Sequence, residues 1–131
     1  MLFRIAVVDD EVKILASLKR YFELRNYQVD IYSDPIEAFN GIRKNMTKVV
    51  LCDINMPHID GIELVGRLKK HNPLIQVVIM TGAATPDRVK AAIEQGACGF
   101  VVKPFDSLQQ VEGEVEKAIT IFERHSAKTR N

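Results

Sequence analysis

An α/β domain with a doubly wound parallel sheet of five strands and five helices is predicted by three observations. Short β-branched runs alternate five times with stretches whose apolar residues recur at helical spacing. Capping and turn residues fall between the two kinds of segment, and the strand-like runs are apolar on both faces. Strict alternation supplies the crossover connections that parallel strands require.

The elements follow in order. Arg4-Ile5-Ala6-Val7-Val8 is halted by Asp9-Asp10-Glu11, which suits a strand at 4–8 and not a secretory signal. Val12, Leu15, Leu18 and Phe22 then mark one face of a first helix, and a second strand is predicted at 28–32. Asp34-Pro35-Ile36-Glu37 combines an N-cap acid, Pro at the first helical position and a capping-box Glu, opening a helix with Ala38, Phe39 and Ile42 on its apolar side. The third strand, 49–52, leads to Asp60 as the N-cap of a helix carrying Gly61, Leu64, Val65 and Leu68, stopped by Asn72-Pro73. After a fourth strand at 76–80, Thr85-Pro86 repeats the cap-plus-Pro device, Val89, Ala92 and Ile93 form the helical face, and Gln95-Gly96 ends it. A fifth strand at 99–102 precedes Asp106-Ser107-Leu108-Gln109, another capping box, and a helix bearing Leu108, Val111, Val115, Ile119 and Phe122. Residues 1–125 are read as one domain, and the polar stretch 126–131 as a tail or the start of a linker.

At 131 residues the chain has the commonest domain size and can bury a substantial core. Hydrophobic residues at 47% and charged residues at 27% match an ordinary globular protein. A net charge of +1, from 18 basic and 17 acidic residues, argues against nucleic acid or an anionic membrane as a direct partner. No apolar run approaches the roughly 20 residues that cross a bilayer. Cys52 and Cys98 lie in or beside apolar strand-like runs and are expected as reduced thiols, which fits a cytoplasmic location.

In a doubly wound sheet, ligands bind beyond the carboxyl ends of the strands, where strand order reverses. Asp9, Asp10, Asp53, Thr81 and Lys103 all fall at or just past such ends. Carboxylates gathered at one point repel unless a cation sits among them, and a hard divalent ion with oxygen ligands, Mg²⁺ above all, suits the set. Lys103 adds a fixed positive charge, Thr81 a hydroxyl, and Gly82 room beside it. Such groups around a carboxylate meet the needs of phosphoryl transfer, in which positioning and charge neutralisation do most of the catalysis. Asp53, at the end of a buried strand and before a turn, is the expected nucleophile.

Two other functions are weighed against this one. A haloacid-dehalogenase-type phosphatase also uses an aspartyl nucleophile with Mg²⁺ but needs a second acid two positions later, where Asn55 stands. A flavin binder of the same topology needs hydroxyls and amides after the first strand, where Asp9-Asp10-Glu11 would repel a phosphate.

Val7-Val8-Asp9-Asp10-Glu11, Leu51-Cys52-Asp53-Ile54-Asn55-Met56-Pro57, Ile79-Met80-Thr81-Gly82 and Val102-Lys103-Pro104-Phe105 resemble, in order and spacing, the motifs of the receiver domains of bacterial two-component response regulators. The resemblance covers about residues 3–122. It implies a flavodoxin-like sheet of order 2-1-3-4-5. It implies that Asp53 accepts a phosphoryl group from a sensor histidine kinase or histidine phosphotransferase. Asp10, Asp9, the Asp53 carboxylate and the Asn55 carbonyl would hold Mg²⁺, and Lys103 would contact the phosphoryl oxygens through a segment whose bond to Pro104 is cis. Thr81 and Phe100 resemble the switch pair, with Phe in place of the Tyr that many relatives carry. The surface of the fourth helix, fifth strand and fifth helix would then change shape for a downstream protein or a fused output domain, and is a candidate dimer face. The resemblance implies a signalling module that catalyses only its own phosphorylation and dephosphorylation. The chain would be either a single-domain regulator or the N-terminal part of a larger one whose output domain binds DNA or is an enzyme. His58 reads as a loop residue beside the site, Glu11 equally as a helix-start acid or as a group approaching the metal through water, and Ala83 as too small to shield an acyl phosphate from water.

Overall fold

The computed structural model describes residues 3–56, 60–82 and 85–129. Five strands, β1 (Phe3–Val8), β2 (Tyr27–Tyr32), β3 (Val49–Asp53), β4 (Gln76–Thr81) and β5 (Gly99–Val102), form one parallel sheet in the order β2-β1-β3-β4-β5. They alternate with α1 (Val12–Glu23), α2 (Pro35–Lys44), α3 (Gly61–His71), α4 (Pro86–Glu94) and α5 (Leu108–Thr129). The predicted fold and strand order are both present. Among the described residues no helix is long and apolar enough to cross a membrane.

Period-two alternation within each strand divides the core. Ile5, Val7, Leu51, Val78 and Met80 face Leu18, Phe22, Val111 and Val115 of α1 and α5. Ala6, Val8, Val50, Cys52, Val77 and Ile79 face Ile42, Leu64, Leu68 and Ala92 of α2, α3 and α4. Phe22 is fully buried, with Tyr21 and Tyr27 edge-on to its ring at 5.4 and 5.2 Å. Burying a ring of this size stabilises the fold by about 2–3 kcal/mol.

The helix starts follow the capping chemistry. Asp34 accepts from the Glu37 N–H at 2.9 Å, Asp60 from Ile62 at 2.8 Å and Thr85 from Arg88 at 3.4 Å. At α5 the cap sits one residue later than the predicted box: Ser107, immediately before the first helical residue, accepts from Gln110 at 3.1 Å. Gly96 ends α4 with φ +114, a conformation that glycine adopts without strain. α5 runs on into the polar stretch read as a tail. Two residues of the predicted apolar faces are exposed, Val12 at 71% and Ile93 at 49%. Val12 opens α1 at the rim of the sheet, and α4 lies shallowly, burying only Ala92. Cys52 and Cys98 are free thiols; Cys98 is only partly buried.

Candidate phosphoryl and metal site

Strand register assembles the site. Val8 pairs with Cys52, so Asp9 follows β1 directly beside Asp53 at the end of β3. Thr81 pairs with Val102, and its carbonyl accepts the Lys103 N–H at 2.8 Å, placing Lys103 on the other side. Strand order reverses between β1 and β3, which opens the crevice at this end of the sheet.

The close approach of α3 depends on Gly61. A Cβ there would collide with the Asp53 carbonyl oxygen and lie 2.5 Å from Ile54 Cα, both backbone atoms that cannot yield. Its absence lets the Gly61 N–H reach the Ile54 carbonyl at 3.3 Å and packs the helix start against the end of β3.

Asp9 is fully buried and Asp53 is 3% exposed, whereas Asp10 is exposed. One carboxylate oxygen from each of the three lies within 4.8 Å of the others, a set able to hold a metal ion. All the donors are carboxylate oxygens, which suits a hard divalent cation. Lys103 Nζ stands 2.6 Å from Asp9 Oδ2, 3.2 Å from Glu11 Oε1 and 3.4 Å from Asp53 Oδ2. The Glu11 N–H donates to Asp9 Oδ1 at 2.8 Å, and the Asn55 N–H donates to Asp53 Oδ1 at 3.0 Å. Cys52 Sγ donates to the Asp53 carbonyl oxygen at 3.3 Å.

Burial pushes the Asp9 and Asp53 carboxyls above their ordinary range, more than Lys103 and the amide donors lower them. Burial works against the charge on Lys103, but Asp9 and Asp53 outweigh it and hold the ammonium above its ordinary pKa. The site is thus a compact cluster of opposite charges. A groove of 640 Å³ between α3 and α4 touches none of Asp9, Asp53 and Lys103.

The structure gathers Asp9, Asp10, Asp53 and Lys103, with the Asn55 amide on Asp53. Thr81 is buried at the neighbouring strand end, and its hydroxyl finds no hydrogen-bond partner among the described residues. Phe100 is not in the pocket. It points outward from β5, 44% exposed, beside a hollow shared with Val102, Pro104, Asp106, Gln110 and Glu114. The Lys103–Pro104 bond is cis. His58 and Ala83 lie outside the described residues. Two further side chains reach the site, and only the second goes unsignalled by the sequence. Glu11 bonds Lys103 as well as starting the helix, and Arg88 of α4 reaches the loop after β3.

Residues 5–113 match the response regulator receiver domain family. The chain belongs to that family. It is 36% identical over 107 residues to the transcriptional regulatory protein ZraR of Klebsiella oxytoca, covering 80% of this chain and 24% of that protein. It is 34% identical over 102 residues to the transcriptional regulatory protein PrrA of Mycobacterium bovis, covering 78% of this chain and 44% of that protein. The chain therefore spans less than half the length of these relatives. A receiver domain protein (CheY-like) from Methanospirillum hungatei superposes with a TM-score of 0.87 at 28% identity, over 95% of this chain and 99% of the other.

Proposed function

We propose that Asp53 is the phosphoacceptor of this receiver, taking its phosphoryl group from a phosphohistidine on a sensor kinase or phosphotransferase. An Asp53 carboxylate oxygen attacks phosphorus; the P–O bond forms as the P–N bond breaks, and the departing imidazole keeps the electron pair and takes up a proton from solvent. The observation that carries this reading is the gathering of Asp53 with Asp9, Asp10 and Lys103 at the sheet's reversal point. The Asn55 N–H fixes one Asp53 oxygen, so that the other is directed to the reacting side.

The carboxylates of Asp9, Asp10 and Asp53, with the Asn55 carbonyl, would hold Mg²⁺, which when bound neutralises charge on the phosphoryl oxygens. Lys103 contributes a second positive charge beside Asp9 and Asp53. The buried Thr81 hydroxyl turns toward the new oxygens, and Phe100 moves inward from its exposed position. Phe100 carries no hydroxyl, so the coupling rests on packing. The output surface is the face of α4, β5 and α5, which carries the exposed Phe100 and Val102. Full switching from one part in a hundred to ninety-nine takes about 5.5 kcal/mol of differential stabilisation, which a few charge-assisted hydrogen bonds supply. The module works in the cytoplasm, acts on itself and turns over no external substrate as its purpose.

The lengths of the relatives favour a role as the receiver part of a larger regulator with a DNA-binding or enzymatic output domain. Incubation with acetyl phosphate and Mg²⁺ tests the assignment. Labelling should be abolished in Asp53→Asn and strongly slowed in Asp10→Ala; undiminished labelling of Asp53→Asn overturns it.

A further inference from the structure

Arg88 stands on α4, three positions after the cap Thr85, and faces the loop that follows Asp53. Its Nη1 donates to Asp60 Oδ2 at 2.8 Å. Its Nη2 donates to the Ile54 carbonyl at 3.0 Å, to Asn55 Oδ1 at 3.3 Å and to Asp60 Oδ1 at 3.3 Å. One guanidinium thus grips both ends of the loop from β3 to α3. A bidentate fork on Asp60 fixes the plane of the group, and the main-chain carbonyl fixes what it holds.

The peptide so held joins Ile54 to Asn55. The Asn55 N–H is already committed to Asp53 Oδ1, and its side chain to Arg88. With both anchored, the Asn55 Cα is held in place, one backbone rotation away from its own carbonyl. α4 itself is lightly seated, burying only Ala92, and the Arg88 bonds tie its first turn to this end of the sheet. α4 follows β4 and Thr81 by a short connection.

We propose that Arg88 is a positioning residue for the metal-binding loop, holding the Ile54–Asn55 peptide from α4 so that Mg²⁺ affinity depends on the seat of that helix. The proposal rests on the reading that the Asn55 carbonyl and the three carboxylates hold Mg²⁺. By reciprocity, whatever occupies the site biases the position of α4, which belongs to the proposed output face.

Charge and geometry predict opposite signs. Removing a positive charge near a cation site by itself tightens Mg²⁺ binding; releasing the loop weakens it. Mg²⁺ titrated calorimetrically into the full chain and into Arg88→Ala should show Kd rising about tenfold, as for other outer partners of metal ligands. Arg88→Lys keeps the charge but cannot span Asp60 and the Ile54 carbonyl together, and should fall between. Arg67→Ala, which removes an exposed cation of the same α3–α4 groove, should leave Kd unchanged. In Mg²⁺-free Arg88→Ala the Asn55 amide resonance should shift. An unchanged or tighter Kd in Arg88→Ala, an unmoved Asn55 amide, or equal weakening in Arg67→Ala overturns the role of Arg88. Failure of the unsubstituted chain to bind Mg²⁺ overturns the underlying site reading as well.

Discussion

Lys103 Nζ lies 2.6 Å from Asp9 Oδ2, closer than the 3.4 Å that separates it from Asp53 Oδ2. The ammonium is therefore chiefly the counter-ion of the fully buried Asp9 and only secondarily that of Asp53. Lys103→Met keeps the stem and removes the charge, leaving two buried carboxylates facing each other. Loss of one partner from a buried ion pair should lower stability by about 3 kcal/mol in the absence of metal. Urea unfolding should show Mg²⁺ restoring more stability to this variant than to the parent; equal gains in both would separate Lys103 from the metal site.

Thr81 should report a conflict between stability and function. Its hydroxyl is buried without a hydrogen-bond partner among the described residues. Thr81→Val replaces it with an isosteric methyl, removing a desolvated polar group, and should raise stability by about 1 kcal/mol. The same change removes the group expected to meet the phosphoryl oxygens, so Asp53 phosphorylation should no longer reshape the output face. Chemical-shift changes on phosphorylation, followed at Phe100 and Val102, measure that coupling. Full-sized changes in the variant would remove Thr81 from the switch.

Gly61 should tolerate no side chain. A Cβ meets the Asp53 carbonyl and Ile54 Cα, and neither can move without displacing Asp53. Gly61→Ala should cost about 3 kcal/mol as an overpacking defect against rigid backbone. It should also slow phosphorylation of the molecules that remain folded. Thermal unfolding and a phosphodonor time course test the two halves separately, and a normal rate would show that α3 does not position Asp53.

The Asp60–Arg88 pair gives a pH dependence of known sign. Burial raises the Asp60 carboxyl, but Arg88 and the Ile62 amide outweigh it and hold its pKa below the ordinary 3.8. A depressed folded-state pKa contributes stability above the unfolded value that is lost as pH falls through the folded one. Asp60→Asn keeps the cap and removes the charge. The stability gap between parent and variant should be full above pH 3.8 and close on further acidification. Urea midpoints across that range check it; a gap that widens in acid contradicts the pairing.

The strand ends were legible because a carboxylate or a lysine abruptly ends an apolar run, and the parallel fold then brings such ends together without any contact having to be guessed. Asp9, Asp53 and Lys103 were visible for that reason. Arg88 was not: helical arginines usually face solvent, and its partner Asp60 lies 28 positions earlier. The burial order of the two N-terminal acids was equally hidden. Asp9 and Asp10 are chemically identical in sequence, and only the Val8–Cys52 register decides which one turns inward. The exposure of Val12 at the first residue of α1 and of Ile93 on the shallowly seated α4 is a matter of packing that helical spacing does not encode.

Mapping the phosphoryl group is the most direct test of Asp53 as acceptor. After reaction with acetyl phosphate and Mg²⁺, borohydride reduction of an aspartyl phosphate converts that residue to homoserine. Peptide sequencing should find homoserine at position 53 alone, and none when Mg²⁺ is withheld. An unreduced Asp53 with homoserine at Asp9, Asp10 or elsewhere would contradict the assignment.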